Sequence, residues 1–126
     1  MATAHFGANS LITIVDRNYN MIDGKTEDVM SLEPFADKWL AFGFDVRVID
    51  GHDFAQICDA IEYAKATKDK PVCIIANTVK GNGISYMAGN YKWHHGTIDQ
   101  EKYDVGMKDL DAYHATQIAL IEKEGK

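Results

Sequence analysis

The alternation of apolar and polar positions divides the chain into short strands and amphipathic helices. Leu11–Val15 (LITIV) is a continuous apolar run of strong β character. It passes directly into the polar, turn-forming Asp16–Asn20, then an apolar pair, Met21-Ile22, and Asp23-Gly24. A continuous run, rather than a strict alternation, reads as a strand covered on both faces. Upstream, Met1–Ala8 has the character of a helix end and Asn9-Ser10 of its stop. A parallel strand entered from a helix implies an earlier βα unit, so the chain reads as beginning in the middle of a fold.

Downstream, Lys25–Met30 is polar and irregular. Ser31 has the chemistry of an N-cap, with Glu33 and Pro34 in the first turn. Leu32, Phe35, Ala36, Trp39, Leu40 and Phe42 recur at helical spacing and predict one buried face, and Gly43 supplies a left-handed stop. Asp45–Ile49 reads as the next strand and Asp50-Gly51-His52 as its turn. Asp53 is placed to cap a second helix, in which Phe54, Ile57, Ile61 and Ala64 share a face with Cys58 and Lys65–Lys70 form the basic end. Pro71 opens a third apolar strand, Val72–Ala76. The resulting β-α-β-α-β order, with connections long enough for right-handed crossovers, predicts an α/β fold. Its architecture is expected to be three-layered, a mostly parallel sheet with helices on both faces, formed by residues 1–126 as a single domain. Residues 77–96 carry no clear periodicity, and a loop that long is usually functional or disordered. Thr97 or Asp99 starts a helix with Gln100 and Glu101 in its first turn, and a last helix covers roughly Leu110–Glu124.

A length of 126 residues suits one domain with one core. The net charge of −6 argues against a nucleic-acid backbone or an anionic membrane surface as partner. No apolar run approaches the roughly 18–20 residues needed to span a bilayer. The opening MATAHFGANS lacks a basic leader followed by an apolar core, so a cytoplasmic protein is expected. Cys58 and Cys73 have no CxxC partner and read as buried, reduced thiols without a catalytic role.

In an open α/β sheet, ligands bind beyond the carboxyl ends of the strands. That rule singles out three segments, Asn18–Asn20, Gly51-His52 and Lys80–Gly83, with Asp23 close behind the first. A hard cation such as Mg2+ takes oxygen ligands, which a side-chain amide and a backbone carbonyl two residues later would supply. Lys80, followed by glycines that allow close backbone approach, suits an anionic group; a solvated lysine in a flexible turn is the plainer alternative. His94-His95 has no third ligand at zinc-like spacing, so a hydrogen-bonding or acid/base histidine is the stronger reading, against a loop histidine packed beside Trp93. His5 and His114 read as surface positions. Gly81-Asn82-Gly83 lacks the third glycine of a dinucleotide fingerprint.

The run Ile14–Gly24, IVDRNYNMIDG, resembles the second half of the thiamine-diphosphate motif of transketolases. The likeness continues through MSLEPFADKWLAFGFDVRVIDGHDF, DKPVCIIANTVKGNGISYM and WHHG, in unbroken order to about Glu101. It is most similar to the separate N-terminal section of bacterial or archaeal transketolases. The resemblance implies a side-chain Mg2+ ligand at Asn18, a main-chain carbonyl ligand at Asn20, and Ile22 against the cofactor. It also implies contacts to the diphosphate and the substrate from Lys80 and from His94, the catalytic candidate; their fourteen-residue separation favours His94 over His95.

The family's Gly-Asp-Gly, whose aspartate is the charged metal ligand, has no counterpart in these 126 residues. The glutamate that activates the aminopyrimidine ring belongs to another domain in that family. What the resemblance implies is a partial thiamine-diphosphate-binding fold that needs further segments, either a C-terminal transketolase section or a second subunit. In the complete enzyme a two-carbon ketol unit would pass between sugar phosphates with thiamine diphosphate and Mg2+ as cofactors. This chain alone is expected to be inactive and to form homo-oligomers. Alternatives are a 1-deoxyxylulose-5-phosphate synthase-like enzyme and a noncatalytic assembly module.

Overall fold

A short helix, α1 (Ala2–His5), leads through a left-handed Gly7 into the strand β1 (Ile12–Arg17). The chain then forms β2 (Asn20–Met21), β3 (Gly24–Lys25), α2 (Thr26–Val29), α3 (Phe35–Ala41), β4 (Asp45–Asp50), α4 (Phe54–Ala66) and β5 (Val72–Asn77). A 3-10 turn at Tyr91–His94 precedes the long helix α5 (Gln100–Glu124). These elements come from a computed structural model, which describes residues 1–124. They fall into two units: Met1–Tyr19 with Lys25–Thr78, and Asn20–Gly24 with the chain from Val79 onward.

The first unit is built on a parallel sheet of order β1-β5-β4. Ile12 pairs with Val72 and Arg17 with Asn77, while Asp45 and Asp50 pair with the same two β5 residues from the other side. β5 is therefore the centre, and Val72–Ala76 is buried throughout. Its side chains alternate between two apolar layers, as a strand's period of two requires. Val72 and Ile74 meet Ala60 and Ala64 of α4, with Ile12, Ile49 and Ile61 packed around them. Cys73 and Ile75 meet Phe44 on the opposite side, joined by Phe35, Ala36 and Trp39 of α3. The Trp39 and Phe44 rings pack edge-to-face with centroids 5.0 Å apart. Burying an aliphatic side chain such as Ile74 contributes about 1.5–3 kcal/mol, which makes β5 the main source of cohesion. The α/β architecture with helices flanking a parallel sheet is thus as the sequence predicts.

Several local expectations are corrected. β1 lies at a sheet edge, and Ile14 is 61% exposed, so the strand is not covered on both faces. It also runs on through Asp16 and Arg17, which the sequence assigns to the loop. Lys25–Met30 is not irregular, because Thr26–Val29 forms α2. Ser31 does not cap α3: its hydroxyl donates to Glu27, Leu32 stays outside the helix, and Pro34 takes the N-cap position. Asp53 does cap α4, accepting from the Ala55 and Gln56 N–H groups. Phe54, however, is exposed, as is Cys58, leaving Cys73 as the buried thiol. Gly43, at φ +89°, ends α3 in the left-handed conformation as expected.

In the second unit, α5 is continuous from Gln100, not a separate helix beginning near Leu110. Asp99 precedes it and accepts from the Lys102 N–H, as a cap should. Gly106 is buried in this helix, where an added Cβ would lie 3.3 Å from the Tyr86 hydroxyl. Ser85 donates its N–H and hydroxyl to Asp109, and the Asn82 amide donates to Tyr113. His5 and His114 are exposed, as expected. Among the described residues, no helix is long and apolar enough to cross a membrane.

Candidate functional site

The parallel register brings the carboxyl ends of β1, β5 and β4 level, with Arg17 and Asp50 both opposite Asn77. The residues that follow these ends are Asn18, Thr78 and Gly51. Gly51 donates its N–H to the Asn77 carbonyl at 2.8 Å, and a Cβ there would come within 2.5 Å of the Thr78 methyl. The Thr78 hydroxyl donates to Asp16, and the His52 N–H to the Asp50 carboxylate at 2.9 Å. Two of the three strand-end segments singled out by the sequence, at Asn18 and at Gly51-His52, thus share this edge.

Between Asn18 and Asn20 the chain makes a left-handed turn at Tyr19, φ +60°, the sole positive-φ residue besides glycine among the described residues. A non-glycine residue in that region costs about 1–2 kcal/mol and persists where its surroundings hold it. The Tyr19 hydroxyl donates to Asn77 Oδ1 at 2.8 Å. The Arg17 guanidinium carbon lies 4.4 Å from the ring centroid, a cation–π contact. The Tyr19 carbonyl accepts from the Thr26 N–H at 2.9 Å.

Arg17 is the hub of this region. It is 4% exposed, donates to Thr26 Oγ1 at 2.9 Å, and pairs with Glu27 at 2.8 Å and Glu33 at 3.0 Å. Burial opposes its charge, but hydrogen bonds to Glu33 and Glu27 outweigh that cost and hold the guanidinium above its ordinary value. Glu27 is pulled down to about 2, first by the Ser31 hydroxyl, then by the Leu32 N–H and Arg17. Glu33 is lowered by the Phe35 N–H and by Arg17. The Cys73 thiol is pushed up to about 11 by burial, so it stays protonated and inert near neutral pH.

Asn18 belongs to the first unit; Asn20, Ile22, Lys80 and His94 belong to the second. Within the second, β2, which contains Asn20, lies against the turn Tyr91–His94. Ile22 is 58% exposed and available as an apolar surface. The Lys80 carbonyl accepts from the Gly89 N–H at 2.8 Å, which closes a loop over Gly81 and Gly83. Both glycines have positive φ, and a Cβ on Gly81 would lie 2.8 Å from the Met87 carbonyl oxygen. The half-buried Lys80 ammonium makes no ion pair or hydrogen bond among the described residues, which leaves it available to an anion. His94 and His95 are exposed, their rings 6.3 Å apart and nearly perpendicular. Trp93 packs on Tyr86 at 5.2 Å, and Gly96 sits against the Trp93 ring, where a Cβ would come within 2.8 Å. Among the described residues, no three His, Cys, Asp or Glu side chains gather into a metal cage. The oxygen donors to which the sequence motif points are the neutral side-chain amide of Asn18, in the first unit, and the carbonyl of Asn20, in the second. Oxygen donors of that kind fit a hard divalent cation that also takes ligands from a diphosphate and water.

Sequence reasoning did not find Tyr19, Asn77 or the Arg17–Glu27–Glu33 cluster. The one available signal was an arginine two residues before an aromatic in a turn-forming segment, and it carries no information about φ.

The chain is similar to a subunit of the apulose-4-phosphate transketolase of Phocaeicola vulgatus, 39% identical over 98% of this chain and 43% of that protein. It is 40% identical to the 6-deoxy-6-sulfo-D-fructose transketolase subunit SqwG of Clostridium sp., over 80% of this chain and 37% of that one. It therefore spans about two fifths of the length of these curated relatives. Its fold matches the crystal structure of transketolase from Campylobacter jejuni with a TM-score of 0.79 and 28% identity, covering 87% of this chain and 17% of that one. The transketolase from Leishmania mexicana matches with a TM-score of 0.67 and 28% identity, over 94% of this chain and 21% of the other. The profile of the family described as transketolase, thiamine diphosphate binding domain, matches residues 1–118, and the chain belongs to that family.

Proposed function

We propose that this chain supplies part of the cofactor- and metal-binding portion of a transketolase that moves a two-carbon ketol unit between sugar phosphates. The observation that carries the reading is the delivery of Asn18, within the IVDRN…IDG motif, directly from the carboxyl end of a parallel strand. Thiamine diphosphate, when bound, supplies the carbon centre that accepts and releases the ketol unit. The chain's own residues bind and orient. Asn18 through its side chain and Asn20 through its carbonyl hold Mg2+, and Ile22 offers an apolar surface to the cofactor. Lys80 neutralises diphosphate charge, for which its unpaired ammonium is suited. His94 hydrogen-bonds an oxygen of the substrate or the diphosphate.

Two neutral donors without a carboxylate hold Mg2+ weakly. These 126 residues by themselves are therefore proposed not to catalyse transfer, and to need further segments that bring the aspartate and the ring-activating glutamate. The subunit names of its relatives support a multi-chain enzyme. The test is a ketol-transfer assay with a ketose phosphate donor, an aldose phosphate acceptor, cofactor and Mg2+. The chain alone should give no product, and mixing with transketolase segments that carry the two missing carboxylates should restore it. Turnover by the chain alone, or a reconstituted assembly indifferent to Asn18→Ala, contradicts the proposal.

A second reading, an assembly module that self-associates, is favoured by Ile14, 61% exposed on the edge strand β1. Light scattering separates the two: a stable oligomer that Ile14→Lys dissolves supports assembly, and a monomer at all concentrations refutes it.

A further inference from the structure

Tyr19 separates the two proposed metal donors, so its torsions set the direction in which the chain leaves Asn18 toward Asn20. Glycine would take φ +60° at little steric cost, whereas a tyrosine there is strained. The strain is held from three directions by groups of the same unit. The hydroxyl is anchored on Asn77, fifty-eight residues away at the end of the central strand. The ring sits over the Arg17 guanidinium, itself fixed by Glu27, Glu33 and Thr26. The carbonyl is held by the Thr26 N–H. The Tyr19 side chain itself lies outside both core clusters, which are formed by β5 and the two helices that cover it, and is 43% exposed. A costly conformation fixed by three contacts, directly beside a proposed oxygen donor, is a device for holding that donor in a set orientation.

We infer that Tyr19 is a positioning residue for a divalent cation bound by Asn18 and Asn20. The inference rests on the metal reading proposed above. Without its anchors the turn relaxes to ordinary torsions, and each binding event must first restore the left-handed state, which lowers apparent affinity by the fraction still competent. Alanine at position 19 removes the two side-chain anchors and keeps the steric cost. Glycine removes those two anchors and the cost together. Phenylalanine keeps the ring over Arg17 and loses only the bond to Asn77.

The experiment is NMR of the 126-residue chain titrated with Mn2+, whose paramagnetic broadening registers weak binding. The backbone coupling constant of residue 19 is measured in parallel as a report of its φ. In the wild type, substoichiometric Mn2+ should broaden the Asn18–Asn20 amides and be displaced by Mg2+. Tyr19→Ala should weaken binding about tenfold, Tyr19→Gly and Tyr19→Phe about threefold, with the coupling at position 19 leaving its left-handed value in the alanine variant. The glycine variant binding better than the alanine variant is the rescue that a purely structural role would not give. If Tyr19→Ala does not fold, the ordering of wild type and Tyr19→Phe decides. Broadening in the wild type that is unchanged in Tyr19→Ala, or in Tyr19→Phe should the alanine variant not fold, overturns the positioning role alone. No broadening at Asn18–Asn20 in a wild type that keeps its left-handed coupling overturns the metal reading, and the positioning role with it.

Discussion

The turn after β1 and the loop from Lys80 to Gly89 both leave the right-handed regions of backbone space, by opposite means. At Tyr19 the left-handed residue carries a large side chain, held by Arg17, Asn77 and Thr26. In the loop, Gly81, Gly83 and Gly89 take positive φ without a side chain to be strained, and the Lys80–Gly89 bond closes it. One segment depends on groups distant in sequence, the other on the absence of a Cβ. Damage to the first should therefore come from substitutions elsewhere in the fold, and damage to the second from adding atoms to the loop itself.

The largest effect is expected at Gly81→Ala. Left-handed strain combined with a Cβ 2.8 Å from the Met87 carbonyl oxygen should cost about 2–3 kcal/mol, read as a lower thermal midpoint. Next comes Arg17→Ala, which removes both ion pairs and the support under the Tyr19 ring. Its glutamate partners are partly exposed, so the loss should be about 2 kcal/mol, below that for a fully buried pair. Denaturant unfolding measures it, and hydrogen exchange should show the Tyr19 turn opening while the Lys80–Gly89 loop keeps its protection. An equal loss of protection in both would break the contrast. The smallest effect is acid sensitivity. Glu27 is lowered from 4.5 to about 2 in the folded chain, so its contribution is complete above about pH 4.5 and fades as the pH falls toward 2. Glu27→Gln should flatten the stability profile in that window and leave it unchanged in shape near neutrality. A Glu27→Gln profile as steep as the wild type below pH 4.5 would rule out Glu27 as the source of the acid sensitivity.

What was legible in the sequence depended on how local the cause was. The run Val72–Ala76 became the buried strand, and the Asp53 cap and the Gly43 stop act on their own helix ends. The equally apolar Leu11–Val15 misled, because burial on both faces is set by strand order, and β1 stands at the edge. Ser31 was a sound N-cap by type, but Glu27 takes its hydroxyl, a competition that propensity does not record. The continuity of α5 through Gly106 was hidden because the reason for that glycine is Tyr86, outside the helix. Among the candidate residues, the strand-end rule reached Asn18, Asn20 and Lys80, whereas Ile22 and the choice of His94 over His95 came from motif resemblance. The role of Tyr19 escaped both, since the partner that fixes its hydroxyl lies at the far end of the unit's sequence.

Asn18 as a metal donor for a diphosphate cofactor is the claim on which the proposed function turns. Its most direct test is calorimetric titration of the chain with thiamine diphosphate, with and without Mg2+, in the wild type and in Asn18→Ala. The prediction is weak binding that requires Mg2+ and disappears in Asn18→Ala. Binding of equal strength without Mg2+, or in the Asn18→Ala chain, would contradict it.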